Sequence, residues 1–464
     1  MLLLNLINLH LFVDVFDGLP KQPNQLTLSN TTLVGDSLRS VNEQKMFYGV
    51  AHSPAMHSAM MEPEEEEEGE EGEEKKKKKK ERGGLPTVKK GKPEVSAPPV
   101  GRIPYPAMTE GEASTQLDIA QEIMSRYKIS HDTPPSIACY TFLNAANKVN
   151  CASLSEDCSV LFAGCQTSAV RIWSLTGSKL MKMRECAELE MLNLADDRVM
   201  EMILDEKTCT QHLSLYGHTG PVYDVKCNQQ KDLLISCGDD YTVKLWSLLT
   251  QSQLVSYRGH SSPVWRCAWS PQGHYFASAS SDNSALLWST QHISPVRLFS
   301  GHLGDITSIV FHPNGNYVAT GSSDRTIRVW DILSGSCIRH LTGHKSSVMS
   351  LTFSPHGHLL VSGGSDGTVL VWDITTGSHT YTLKGHTKAV TSLALSREGG
   401  VLASGGMDCL VNTWDLVQAL DNEEKGDTSS AGVLINKSRT KTTPLLNLSF
   451  TRRNLLLAVG AYCP

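Results

Sequence analysis

The chain has 464 residues, with 42 Lys and Arg against 48 Asp and Glu, a formal net charge of −6. That length gives room for one large domain and some extra, and the acidic balance disfavours binding to a phosphate backbone through charge. Twelve cysteines without a Cys-x-x-Cys pair exclude a zinc-ribbon framework and read as small thiols of a reducing compartment.

The segment Met1–Phe16 is apolar, but it lacks the basic start and small-residue cleavage site of a signal peptide. It is too short to cross a bilayer. Leu2, Leu6, Leu9, Val13 and Phe16 share one face of a helix. Residues 62–82 are low complexity: ten Glu with interspersed Gly run into Lys75, Lys76, Lys77, Lys78, Lys79 and Lys80. Such a stretch buries no apolar surface and is expected to be disordered. The lysine run is a candidate nuclear import signal, and a solvated linker is the plainer reading. Further on, Leu117–Met124 reads as one short helix.

Strands begin at Ile137-Ala138-Cys139-Tyr140-Thr141-Phe142-Leu143. Ala169–Trp173 then matches the last strand of a repeat that becomes regular downstream, although Thr167 and Ala163 stand where later copies carry Asp and a hydroxyl. An insertion lies within about 177–212, and a helix around Ala187–Leu204 is expected to project from the edge of that repeat. The stretch 137–464 carries 26 Lys and Arg against 27 Asp and Glu, so it is near neutral.

From residue 213 the period is fixed. Gly-His recurs at 217-218, 259-260, 301-302, 343-344 and 385-386, and Trp246, Trp288, Trp330, Trp372 and Trp414 keep the same step of 42 residues. Asp240, Asp282, Asp324, Asp366 and Asp408 sit six residues before each Trp, and Ser236, Ser278, Thr320, Ser362 and Ser404 sit ten before it. Gly-His early and Trp late at this period resemble the WD-repeat β-propellers, which implies an all-β fold of four-stranded blades stacked in a ring. The resemblance also implies a wiring in which Trp donates to the hydroxyl, the hydroxyl meets His218, His260, His302, His344 or His386, and that His meets its Asp. The donor and acceptor inventory allows every member to be satisfied. A Ser–His–Asp set invites a hydrolase reading, but five copies at one period are architectural, and none is marked out by an oxyanion hole. No enzyme, no cofactor and no metal is therefore expected. His274, His312, His356 and His358 fall in loops beside Pro or Gly and read as solvated. The loops after two Gly-His pairs carry Pro221 with Tyr223 and Pro263 with Trp265, a matched pair of aromatics proposed as a partner-binding surface.

The chain closes with Leu445–Phe450 and Leu455–Val459, two strands around a Thr-Arg-Arg-Asn turn, with no Trp-Asp strand after them. The resemblance to WD-repeat propellers implies that the strand at Ile137 joins this hairpin to complete a seventh blade and protect the sheet edges. Six blades is the alternative.

Non-repeat segments narrow the family. His10–Pro20, the Glu-then-Lys linker leading to Arg102-Ile103-Pro104-Tyr105-Pro106, Pro135-Ser136-Ile137 through Ala145, and Phe450–Leu455 with Gly460-Ala461-Tyr462 together resemble the WD-repeat subunit 5 family of the general transcription factor TFIID. That resemblance implies an N-terminally truncated member, because the family begins with a LisH motif and most of a helical domain. Residues 1–56 are then a remnant of that domain without a partner for its apolar face, 57–136 a mostly disordered Glu/Lys/Pro linker, and 137–464 the propeller. It further implies a nuclear, non-catalytic scaffold that docks the histone-fold subunits numbered six and nine and other TFIID subunits for assembly at RNA polymerase II promoters. No direct nucleic-acid binding by the propeller and no membrane association are expected. The alternatives are a scaffold of a SAGA-type acetyltransferase coactivator and a ubiquitin-ligase substrate receptor.

Overall fold

A computed structural model describes residues 41–49, 98, 102–104, 110–130, 133–143, 148–177, 180–184, 204–424 and 432–462. The expected helix at 1–16, the Glu/Lys stretch with Lys75–Lys80, and the expected helix in the insertion, except for Leu204 at its end, lie outside the described residues.

Alternating and continuous apolar runs between Gly, Asn and Asp turns give 29 short strands among the described residues. The earliest, β1 (Ile137–Phe142), does not pair with the strand next to it in the chain. Blade one is β2 (Val149–Leu154), β3 (Val160–Cys165), β4 (Val170–Ser174) and β7 (His212–Leu215). Inside it, β5 (Leu180–Met183) and β6 (Leu204–Thr210) form a separate antiparallel ribbon. The described ends of the insertion are thus extended rather than helical, and Leu204 begins a strand. Blade two is β8 (Val222–Cys227), β9 (Leu233–Gly238), β10 (Thr242–Ser247) and β11 (Ser252–Arg258). Blade three is β12 (Val264–Trp269), β13 (Tyr275–Ser280), β14 (Ser284–Ser289) and β15 (His292–Ser300). Blade four is β16 (Ile306–Phe311), β17 (Tyr317–Ser322), β18 (Thr326–Asp331) and β19 (Cys337–Thr342). Blade five is β20 (Val348–Phe353), β21 (Leu359–Gly364), β22 (Thr368–Asp373) and β23 (Ser378–Lys384). Blade six is β24 (Val390–Leu395), β25 (Val401–Gly406), β26 (Leu410–Asp415) and β27 (Leu434–Arg439).

The seventh blade has three strands: β28 (Leu445–Phe450) and β29 (Leu456–Ala461) form an antiparallel hairpin, and β1 lies parallel to β29 with Ile137 opposite Leu456. The first strand of every blade packs on the first strand of the next, and β28 touches both β24 and β2, so the ring is closed with seven blades.

Apolar clusters fill the gaps between successive blades. The cluster between blades three and four joins Phe299, Ile306, Val318 and Trp330, and the next joins Leu341, Val348, Leu360 and Trp372. Crowding there explains Gly363: a Cβ would come within 2.8 Å of the Val390 side chain on the neighbouring blade. Two arginines at the repeat spacing tie blades edge to edge. Arg297 donates to the carbonyls of Ile332 and Leu333, and Arg339 to those of Ile374 and Thr375.

The strand order gives the ring two faces. The upper face carries the Gly-His loops and the Asp turns; the lower face carries the other two turns of each blade. Described segments from before the propeller lie on the lower face. Residues 41–49 and 102–104 contact blades three to five. The helix α1 (Glu110–Met124) and the residues after it reach blades six and seven, through Glu122 with Arg452, Arg126 with Glu398, and the Tyr127 carbonyl with Asn454. A second helix, α2 (Leu416–Glu424), continues from β26 and packs on β23.

Candidate protein-interaction face

Each Gly-His loop lies beside the turn that holds its Asp, because the His ring reaches the hydroxyl on the second strand of the blade and the Asp in the turn between the second and third strands. In blade two, Trp246 Nε1 donates to Ser236 Oγ at 2.8 Å, His218 Nε2 meets the same oxygen at 2.7 Å, and His218 Nδ1 meets Asp240 Oδ2 at 2.8 Å. The same contacts join Trp288, Ser278, His260 and Asp282, with His260 Nδ1 at 2.9 Å from the carboxylate. They also join Trp330, Thr320, His302 and Asp324, again at 2.9 Å, and Trp414, Ser404, His386 and Asp408 at 3.1 Å. The tautomer that satisfies every atom carries its proton on Nδ1 and accepts from the hydroxyl at Nε2. Burial on its own raises the Asp240 and Asp282 carboxyls; hydrogen bonds from His218 and His260 reverse this and hold both at about 2. Asp324 is lowered for the same balance of reasons, and Asp408 is lowered against its burial by the Thr387 N–H first and His386 second.

Blade five differs. Trp372 and His344 both reach Ser362, at 2.8 and 2.6 Å, but His344 Nδ1 has no hydrogen-bond partner among the described residues. Asp366 is committed to the backbone and hydroxyl of Thr368. The fifth chain is therefore open at its His–Asp link, unlike the uniform set expected from residue type. Burial, without a carboxylate hydrogen bond to offset it, lowers His344 to about 4.

These hydroxyls do not offer a nucleophile. Ser236, Ser278, Thr320, Ser362 and Ser404 are fully buried, and each hydroxyl is occupied by an indole and an imidazole. Burial also raises the thiols of Cys237 and Cys267 on the inner strands, so both stay protonated. His312, expected to be solvated, is fully buried: its Nε2 meets the Gly357 carbonyl at 3.0 Å and its Nδ1 accepts from Asn314 N–H at 3.2 Å. The Pro-Asn-Gly turn folds the ring inward against Tyr317 and Phe353.

Around the upper mouth of the central channel, one position per blade faces its neighbour. Where that residue is Asn150, Thr307 or Thr391, it donates to a carbonyl of the next blade, at Val222, Val348 and Leu445 respectively. Blades two and three replace this staple with Tyr223 and Trp265. Their rings lie 4.7 Å apart at 42°, both half-buried, and Tyr223 Oη donates to Asp239. Trp265 Nε1 is buried and has no hydrogen-bond partner among the described residues. Pro221 and Pro263 lead into the two inner strands just above, and their carbonyls accept from Asp239 N–H and Ser281 N–H. The same face exposes Tyr216 (74%), Tyr241 (47%), Leu303 (87%) and Met407 (53%). Sequence reasoning misses the part played by Arg102, Asn314, Tyr317 and Arg339, which gather on the lower face; only the 42-residue step from Arg297 to Arg339 offers a signal.

Seven stacked blades, five of them built on this Trp–hydroxyl–His set, define a WD-repeat propeller. The family model of the WD domain, G-beta repeat, matches residues 138–174, 208–247, 251–289, 293–331, 335–373 and 377–415, and the chain belongs to that family. Within it the chain is similar to proteins named TFIID subunit 5. It is 37% identical over 254 residues to the transcription initiation factor TFIID subunit 5 of Drosophila melanogaster, covering 54% of this chain and 36% of the relative. It is 38% identical over 150 residues to a TAF5-like RNA polymerase II p300/CBP-associated factor-associated factor 65 kDa subunit 5L of Mus musculus, 32% of this chain and 24% of the relative. Against the SAGA complex/transcription factor TFIID complex subunit Taf5 of Schizosaccharomyces pombe it is 32% identical over 160 residues, 34% and 22% of the two chains. The matched segments thus span about a third or less of these relatives' own length.

Proposed function

We propose that this chain is a non-catalytic scaffold of TFIID in the nucleus, and that the upper face of its propeller docks the histone-fold subunits six and nine during RNA polymerase II pre-initiation complex assembly. The observation that carries this reading is the Tyr223–Trp265 pair. It sits at the channel mouth in place of two blade staples, it leaves a buried indole N–H without an acceptor among the described residues, and exposed Tyr216, Tyr241, Leu303 and Met407 occupy the same face. Aromatic side chains of this kind supply most of the energy of protein interfaces, and an indole N–H seeks an acceptor when buried. The relatives are named as transcription-initiation subunits, which supports a transcription complex as the setting. A relative named for both SAGA and TFIID supports a second reading, a coactivator scaffold with the same face in use.

Affinity purification of the tagged chain from nuclear extract tests the proposal. Histone-fold subunits together with TATA-binding protein are expected. An acetyltransferase in their place moves the assignment to the coactivator, and cullin-type ligase subunits overturn both.

A further inference from the structure

On the lower face, residues Asn42–Gly49 run across blades four and five, and side chains of the propeller read most of them. Asn42 pairs with both backbone groups of His340: the His340 N–H donates to Asn42 Oδ1 at 2.8 Å, and Asn42 Nδ2 donates back to the carbonyl at 3.2 Å. His340 lies in β19, the outermost strand of its blade, so one asparagine amide does there what a neighbouring strand would do. Arg339 donates to the Gln44 carbonyl at 2.8 Å with the same guanidinium that ties blade four to blade five. Met46 is buried in the apolar cluster the two blades share. Phe47 N–H donates to Tyr317 Oη at 2.9 Å, and its carbonyl accepts from Asn314 Nδ2 at 2.6 Å. Tyr48 packs its ring 4.9 Å from His358. Gly357, at φ +79°, lies beneath: a Cβ there would stand 2.5 Å from the Tyr48 carbonyl.

Beyond the His340 backbone pair, these contacts are to side-chain fingers and an apolar pocket of the ring: a helical turn ends at Asn42, residues 45–49 carry no regular structure, and both main chain and side chains of the segment are read, as in peptide recognition. We infer that the lower face of blades four and five is a peptide-binding site in its own right, and that Asn42–Gly49 is its ligand. Arg102 returns to the same place, pairing with Asp331 at 2.9 Å and resting 5.4 Å from the Phe47 ring, so it completes the wall of the site. The peptide chemistry it takes is an asparagine, four residues before a methionine that is followed by two aromatics and a glycine.

The experiment uses the full chain with a protease site inserted after Gly69. After cleavage under native conditions and size-exclusion chromatography, the piece ending at residue 69 should co-elute with the propeller piece. The Asn42→Ala, Met46→Asp double variant, cut in the same way, should release it. Separation of the unaltered pieces overturns the inference, and so does retention in the double variant. If the uncut double variant melts early, a fluorescent peptide of residues 40–50 gives the second measurement. In excess it should exchange into the cut unaltered protein, and its Met46→Asp form should bind at least tenfold more weakly. Failure to exchange, or equal binding of the two peptides, overturns the inference as well.

Discussion

Tyr223 and Trp265 meet at a tilt, 4.7 Å apart, across the boundary of blades two and three, where blades one, four and six place a hydrogen bond to a neighbouring carbonyl. Both are half-buried, so part of each ring is available to a partner. Trp265→Ala is expected to weaken binding of the histone-fold pair by roughly 2 kcal/mol or more. The melting temperature should change little. A pull-down and a circular dichroism melt on the same variant decide it: a large drop in melting temperature makes the ring a packing residue only, and an unchanged melt with unchanged binding moves the interface elsewhere.

The open fifth network gives an internal control. Asp324→Ala removes the acceptor of a buried His302 and should cost about 1–3 kcal/mol. Asp366→Ala removes a carboxylate that His344 does not use, and Thr167→Ala touches an exposed residue of a blade without the network; each should cost no more than about 0.5–1 kcal/mol. Denaturant unfolding of the three variants would reveal the order. Equal losses would count against the wiring.

Acid should destabilise the ring in two stages. Burial lowers His312, His340 and His344 to about 4 from an ordinary 6.5. The folded state therefore binds fewer protons than the unfolded chain, and the stability these rings contribute is complete above pH 6.5 and is lost as pH falls through 4. For the deeply buried His312 and His344 this is worth up to about 3 kcal/mol each, at 1.36 kcal/mol per unit. His340 is only partly covered, so solvent screening makes its share smaller. Asp240 and Asp282, held at about 2, lose their contribution below that, as pH falls from about 4 through 2. Urea midpoints at pH 7.5, 5.5 and 4.5 should fall steadily, and His312→Asn should flatten the curve while lowering its plateau. Parallel curves for variant and parent would sink this account.

The lysine run is tested apart from the ring. A fusion of residues 70–95 to an inert reporter is expected to enter the nucleus, and changing Lys75–Lys80 to Gln should abolish entry. The same change in the full chain should leave its melting temperature unaltered. A reporter that stays cytoplasmic removes the import assignment.

Much of the ring is legible because its wiring repeats: Trp, His and hydroxyl at a 42-residue step mark strands that must stack, and the family resemblance supplies the pairing of the Ile137 strand with the Leu445 hairpin. The illegible part has no period. Asn42, Met46 and Arg102 belong to no repeat, and among their anchors Asn314 has no counterpart in the other blades, while Tyr317 and Arg339 are matched only one repeat earlier, by Tyr275 and Arg297. Residue type also fails at Asp366, where the same kinds of residue as in the neighbouring blades leave one bond unmade. His312 is misread because a Pro-Asn-Gly turn signals a surface loop, while the fold turns the ring before it inward.

The parallel pairing of β1 with β29 has a consequence for synthesis. Ile137 leaves the ribosome roughly 320 residues before Leu456, its partner, exists. At ordinary elongation rates that wait lasts on the order of tens of seconds. Throughout it β1 is an unpaired edge, and once Arg439 has emerged six blades stand as an open arc with their first and last inner strands bare. The nascent chain is thus most in need of a chaperone just before the last hairpin emerges, and a premature stop at residue 455 would leave the whole ring unlatched.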